Sequence, residues 1–106
     1  MSNIYTQTAF PVSDYAIIVN ADDNVAVVKN ETSEGVSVLL PNQDTVTLSR
    51  IVPPGHRFAT RDIPAGDFVF QYGQPIGTSL GIAKGDWITH ENMSNDVPRT
   101  IAFSSI

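Results

Sequence analysis

A chain of 106 residues makes one domain, with 42% hydrophobic and 16% charged residues, a balance that fits a folded globule and excludes a disordered or supercharged segment. The formal net charge of −5, with only 6 Lys and Arg, argues against nucleic acid, which rewards clustered cations. No cysteine is present, which removes disulfides, thiolate metal sites and cysteine nucleophiles together and fits a reducing compartment.

Residues 1–13 are polar, carry Pro11 near their end, and read as a loose arm. The segment has neither a basic nor an apolar signal region, and no run in the chain is long enough to span a bilayer. A cytoplasmic protein without membrane contact is the expectation. Tyr15 to Val19 is a β-branched run that predicts a buried strand. The Asn20 to Asn24 cluster predicts a turn, since Asp and Asn cap their own backbone. There Asp22 and Asp23 read as solvated acids. Val25 to Val28 predicts a second strand. Val36 to Leu40 and Thr45 to Ile51 predict a pair across the turn Pro41 to Asp44. In the latter, Val46, Leu48 and Arg50 share one face.

From Ile51 onward short β-rich segments alternate with glycine turns. One phrase occurs twice, Ile63-Pro64-Ala65-Gly66-Asp67 and Ile82-Ala83-Lys84-Gly85-Asp86. The spacing in Ile63 to Gly66 predicts a type I turn with Pro64 at its second position and a glycine bulge after it. In Val52-Pro53-Pro54-Gly55 a second proline would push Pro53 out of the helical region. That turn is therefore shifted by one, with Pro54 and Gly55 as the central pair of a type II turn. Asp67 to Tyr72 alternates Phe68 and Phe70 against Val69 and Gln71, a strand with an aromatic face. Gly73, Gly77 and Gly81 recur too often for an ordinary strand and mark bends or close backbone approach. No segment carries a helical apolar stripe. The expected fold is an all-β single domain of about seven to nine short strands.

Candidate chemistry is sparse. His56 sits on a rigid glycine-turn edge, where it either pins the turn or serves in proton transfer or carboxylate binding. Arg57 and Arg61, at i and i+4, either provide solubility and pair with Asp62 or Asp67, or form an anion clamp beside His56. Two isolated histidines make a poor metal set, so no metal site is assigned to this chain. Phe58, Phe68, Phe70 and Trp87 are expected in the core, or one of them as an exposed anchor. No Gly-x-Ser-x-Gly, P-loop or dinucleotide fingerprint occurs.

Five segments in register resemble the small β-clip unit, the SAF domain, of the altronate/galactarate dehydratase family. They are Asp23 to Ala26, Pro53 to Arg57, Asp62 to Gly66, Tyr72 to Gly77 and Ile82 to Gly85, within about Tyr15 to Asn92. The family pattern runs as Ile-Pro-x-Gly-His-Lys, Asp-Ile-x-x-Gly, Lys-Tyr-Gly-x-x-Ile-Gly and a second Ile-x-x-Gly. The resemblance implies a β-clip over residues 14–93, with residues 94–106 as a final strand or docking segment. It also implies β-elimination of water from a sugar acid, a hexonate or aldarate. This chain would be the small subunit or N-terminal domain, inactive alone, and a large catalytic subunit or domain its partner. A sulfolactate sulfo-lyase has the same two-part arrangement. With the resemblance, His56 becomes the catalytic candidate and Tyr72 and Gly73 substrate-binding candidates, beside the Arg57 and Arg61 that their spacing already offers for substrate binding. Any divalent metal, of iron or manganese type, would belong to the assembled enzyme.

Two departures stand out. The family's His-x-His-x-His cluster falls on Trp87, Thr89 and Glu91, leaving His90 and Glu91 on opposite faces of a predicted strand. Galactarate-type members also carry Trp at the first of these places. Gln71 replaces the usual cation before Tyr72-Gly73. These departures sustain an alternative, a non-catalytic binding or structural module like those of sialic-acid synthases and type III antifreeze proteins. Clustered aromatics and short unpaired edges also predict a homodimer, or strand exchange through residues 98–106, when no partner is present.

Overall fold

The computed structural model describes residues 9–97 as an all-β domain of ten short strands with a single 3₁₀ turn, Val12–Asp14. The strands are β1 Phe10–Pro11, β2 Ala16–Ile17, β3 Val25–Val28, β4 Ser37–Leu39, β5 Thr45–Thr47, β6 Arg57–Ala59, β7 Phe68–Gln71, β8 Gln74–Ser79, β9 Trp87–Ile88 and β10 Met93–Ser94. They form three small sheets, ordered β1-β4-β5, β2-β3-β6-β9 and β10-β8-β7. Among the described residues only the β1–β4 pairing is parallel. Among the described residues no helix is long and apolar enough to cross a membrane. Of the final strand or docking segment expected over residues 94–106, residues 98–106 lie outside the described residues.

The four-stranded sheet has a core on each face. Paired residues of antiparallel strands point the same way, so Ala26, Phe58 and Trp87 share one face while Val25 and Ala59 share the other. On the first face, Ala26, Val28 and Phe58 pack with Val38, Leu40, Val46 and Leu48 of the β4–β5 hairpin, and Trp87 leans on the rim. On the second, Val25, Ala59 and Ile88 pack with Val69, Ile82 and Met93. Phe58 is 0% exposed, and burying a side chain of that size contributes about 1.5–3 kcal/mol.

The repeated phrase has a structural meaning. Ile63 and Ile82 form an antiparallel bridge and exchange both backbone hydrogen bonds, at 2.8 and 3.1 Å. Each phrase then turns at its glycine, and Asp62, just before the first, accepts the Lys84 N–H of the second at 2.8 Å. The two copies are therefore halves of one joint.

The Pro53 to His56 turn closes as expected. Pro53 accepts the N–H of His56, and Gly55 holds φ +88°, which is type II. The expected type I turn at Ile63 to Gly66 is corrected. Pro64 accepts the N–H of Asp67, and Gly66 is left-handed at φ +96°, so the turn is type II with Ala65 and Gly66 at its centre. The proline stands one place earlier than its usual position because Ile63 is held by Ile82.

Three further expectations are revised. Tyr15 to Val19 is not a buried strand. Only Ala16–Ile17 pairs, at a sheet edge, and Val19 is 61% exposed. The aromatic side of β7 does not face the core, since Val69 is fully buried while Phe68 and Phe70 are half-buried and stack edge-on. A bulge between Val69 and Phe70 accompanies this turn-out. Finally, the arm ends inside the fold, because Phe10–Pro11 pairs with β4 and Val12 is buried.

Candidate functional site

His56 enters β6 directly from the Pro54-Gly55 turn, and strand alternation puts its side chain on the Phe58 and Trp87 side of the sheet. Its ring meets Trp87 edge-on, with centroids 5.3 Å apart and planes at 83°. The indole Nε1–H donates to His56 Nδ1 at 3.3 Å. The imidazole is exposed, so this bond orients it without burying it.

Over the indole lies the Arg50 guanidinium, 5.4 Å from the ring centroid, within reach of a cation–π contact. Sequence reasoning did not select Arg50 as a site residue. The signal was present, because the alternation predicted for Thr45 to Ile51 sets Arg50 in line with the buried Val46 and Leu48, although β5 itself ends at Thr47, and an arginine there needs an aromatic or anionic partner.

Arg50 and Trp87 form part of the wall of an open cleft of about 580 Å³, together with Ser49, His90, Glu91 and Asn92. The expectation that His90 and Glu91 occupy opposite faces of a strand is corrected. Strand β9 ends at Ile88, and Thr89 to Asn92 form a turn. Asn92 Oδ1 accepts the Thr89 N–H at 2.9 Å, its Nδ2 donates to the Trp87 carbonyl at 3.1 Å, and Thr89 Oγ1 accepts the Glu91 N–H. These side-chain bonds replace the ladder that a longer strand would need. As a result His90 and Glu91 are both exposed on the same cleft.

Arg57 and Arg61 do not make a clamp. Arg57 points to the opposite side of the sheet from His56 and gives its Nε–H to Gln71 Oε1. Arg61 lies beyond the end of β6 and lines a separate groove of about 320 Å³ beside Leu40 and Asp44.

Tyr72 and Gly73 form the tip of the β7–β8 hairpin, both left-handed, at φ 58° and 78°. Their backbone N–H groups are already taken. Asp23 Oδ2 accepts from Tyr72 at 2.9 Å and Oδ1 from Gly73 at 2.7 Å. Asn20 adds a third N–H at 3.2 Å. Asn24 beside it accepts the Phe70 N–H and donates to the Phe68 carbonyl. Asp23 is thus no solvated acid; it is 5% exposed and clasps the hairpin to β3. The neighbouring Asp22 is exposed.

The donor set does not suit a metal. Among the described residues no three His, Cys, Asp or Glu side chains gather. His56 stands outside the walls of the cleft that Glu91 and His90 line.

Known proteins share this sequence over most of the described span. The family model of the altronate/galactarate dehydratase SAF domain matches residues 14–96. Altronate dehydratase of Escherichia coli K12 is 49% identical over 70 residues, 65% of this chain and 14% of that protein. Galactarate dehydratase (L-threo-forming) of the same organism is 35% identical over 89 residues, 83% of this chain and 16% of that protein. The chain therefore spans about a sixth of the length of these relatives. The matched span holds the Asp23-Asn24 clasp, the paired isoleucine phrases and the His56 turn in one continuous fold, and the chain belongs to the altronate/galactarate dehydratase SAF domain family.

Proposed function

We propose that this domain serves a cytoplasmic sugar-acid dehydratase of the altronate or galactarate type, a hydro-lyase, as its small subunit or N-terminal domain. A separate catalytic body carries the elimination. In that reaction a base removes the proton beside a carboxylate, charge collects on the carboxylate oxygens, and the β-hydroxyl departs as water. The domain assists by presenting the His56, Trp87 and Arg50 edge to the substrate. The observation that carries the reading is the exposed His56 imidazole, held in one orientation by the Trp87 N–H at 3.3 Å. An oriented, solvent-facing imidazole that shares its tryptophan partner with a guanidinium suits a hydroxy-carboxylate.

The test is turnover of altronate and of galactarate by the chain reconstituted with a dehydratase body. His56→Ala is expected to reduce turnover on the order of a hundredfold or more, with the melting temperature nearly unchanged. His90→Ala is expected to have a smaller effect, since no hydrogen bond holds it among the described residues. A melting temperature that falls sharply in His56→Ala, with turnover per folded molecule intact, makes His56 a structural pin.

A second reading, a binding or structural module without a chemical role, is favoured by a specific observation. The amides of Tyr72 and Gly73, and the Nε–H of Arg57, are bound within the fold. Under that reading the reconstituted His56→Ala protein turns over like the wild type.

A further inference from the structure

Trp87 determines what His56 can do. An indole Nε1–H is a donor with no lone pair to offer, so the nitrogen it meets must supply one. That nitrogen is His56 Nδ1, at 3.3 Å. In a neutral imidazole so engaged, the proton resides on Nε2. The two rings meet edge-on, at 83°, and the contact runs from the indole Nε1–H to Nδ1, the nitrogen nearer the backbone. The Arg50 guanidinium over the indole draws on its π density and strengthens the N–H as a donor.

We propose that Trp87 is a positioning residue that locks His56 as the Nε2–H tautomer, so that His56 meets a carboxylate or enolate oxygen as a neutral hydrogen-bond donor and does not abstract the α-proton. The ligand's identity rests on the function proposed above; the tautomer does not. A base at this place needs a free lone pair on its outward nitrogen, and in this tautomer the outward nitrogen carries the hydrogen. The α-proton goes to a base of the catalytic body, and its bonding pair becomes the new C=C bond. The C–O bond breaks, and the leaving hydroxide takes a proton from an acid of that body. His56 keeps its Nε2 proton throughout and stabilises the oxygen on which charge develops.

Two measurements test this. In the chain labelled with ¹⁵N-histidine, two-bond ¹H–¹⁵N spectra read each tautomer directly, and the exposed His90 is the internal reference. The expected result is Nε2–H alone at His56 in the wild type. In Trp87→Phe, which keeps the ring and deletes the donor, His56 is expected to return to the mixture shown by His90. An Nδ1–H signal at His56 in the wild type, or an unchanged His56 pattern in Trp87→Phe, overturns the lock. In the reconstituted enzyme, His56→Gln can still donate an N–H but has no basic nitrogen. It should retain turnover to within about tenfold while His56→Ala loses about a hundredfold. Equal losses in Gln and Ala would make His56 the base and overturn the donor role alone. Wild-type turnover in both overturns the function proposed above and the donor role with it, and the tautomer is then still decided by the spectra.

Discussion

Arg57 donates its Nε–H to the side-chain oxygen of Gln71, tying β6 to the end of β7. Both side chains are half-buried, so the bond is charge-assisted and only partly wet. Gln71 is the position where the family carries a cation, and a lysine there would confront the guanidinium.

Gln71→Lys is therefore expected to destabilise the domain by about 1–2 kcal/mol, part of it recovered at 1 M salt, where the repulsion is screened. Gln71→Ala should lose about 1 kcal/mol with no such recovery. Melting curves at low and high salt decide it, and equal salt responses in the two variants would refute the pairing.

Asp23 is the residue whose loss should matter most for folding. Its carboxylate takes three backbone N–H groups in a nearly buried setting. Asp23→Ala leaves those donors unmatched and should cost about 3 kcal/mol or more. For a domain of this size that is a melting-temperature drop on the order of 10 °C. Asp23→Asn should recover little, since one oxygen becomes an N–H₂ facing other donors. A drop of a degree or two for Asp23→Ala would show that the clasp is loose in solution.

The glycines separate by cause. A Cβ at Gly85 would lie 2.3 Å from the Thr47 carbonyl oxygen, and one at Gly77 would lie 2.3 Å from that of Ser94. A Cβ at Gly66 meets nothing within 4 Å and faces only its left-handed backbone. Gly66→Ala should cost about 1 kcal/mol, and Gly77→Ala and Gly85→Ala several times more, because backbone must move. Urea denaturation of the three variants ranks them; a Gly66 cost equal to the others would contradict the close approach.

Metal affinity of the chain alone should be weak. With no convergent set of three ligand side chains among the described residues, isothermal titration with zinc or iron(II) should show no sub-micromolar site. A tight one-to-one isotherm would mean that ligands gather in a way the structure does not show.

Much of the fold was legible because its signals are local. The alternation of Val46 and Leu48, the run Val25 to Val28, and the Pro54-Gly55 pair each state their own backbone. What misled was environment. Ile17 and Val19 are as β-branched as Val25, yet they lie at an edge, where no second layer covers them. Asp23 looks like any turn acid because its partners are supplied by a hairpin far along the chain. The site was half legible. His56 stood out by residue type and turn, while Arg50 and Trp87 join it only through strand pairing. Arg57 and Arg61 were grouped by a period of two that fails once β6 stops at Ala59.

The clasp also has a kinetic side. Asp23 and Gly73 are 50 positions apart, and Asn24 and Phe70 are 46 apart. Neither contact can form until a long loop has closed, so this chain belongs with the slow, non-local folders of the millisecond-to-second range. The β7–β8 hairpin, with its two-residue tip, can form by itself first and wait for the carboxylate to arrive. If Asp23 then engages after the rate-limiting barrier, it acts as a latch. Its removal would speed opening far more than it slows assembly, and the lifetime of the native state, not its rate of formation, would be the quantity under the control of one side chain.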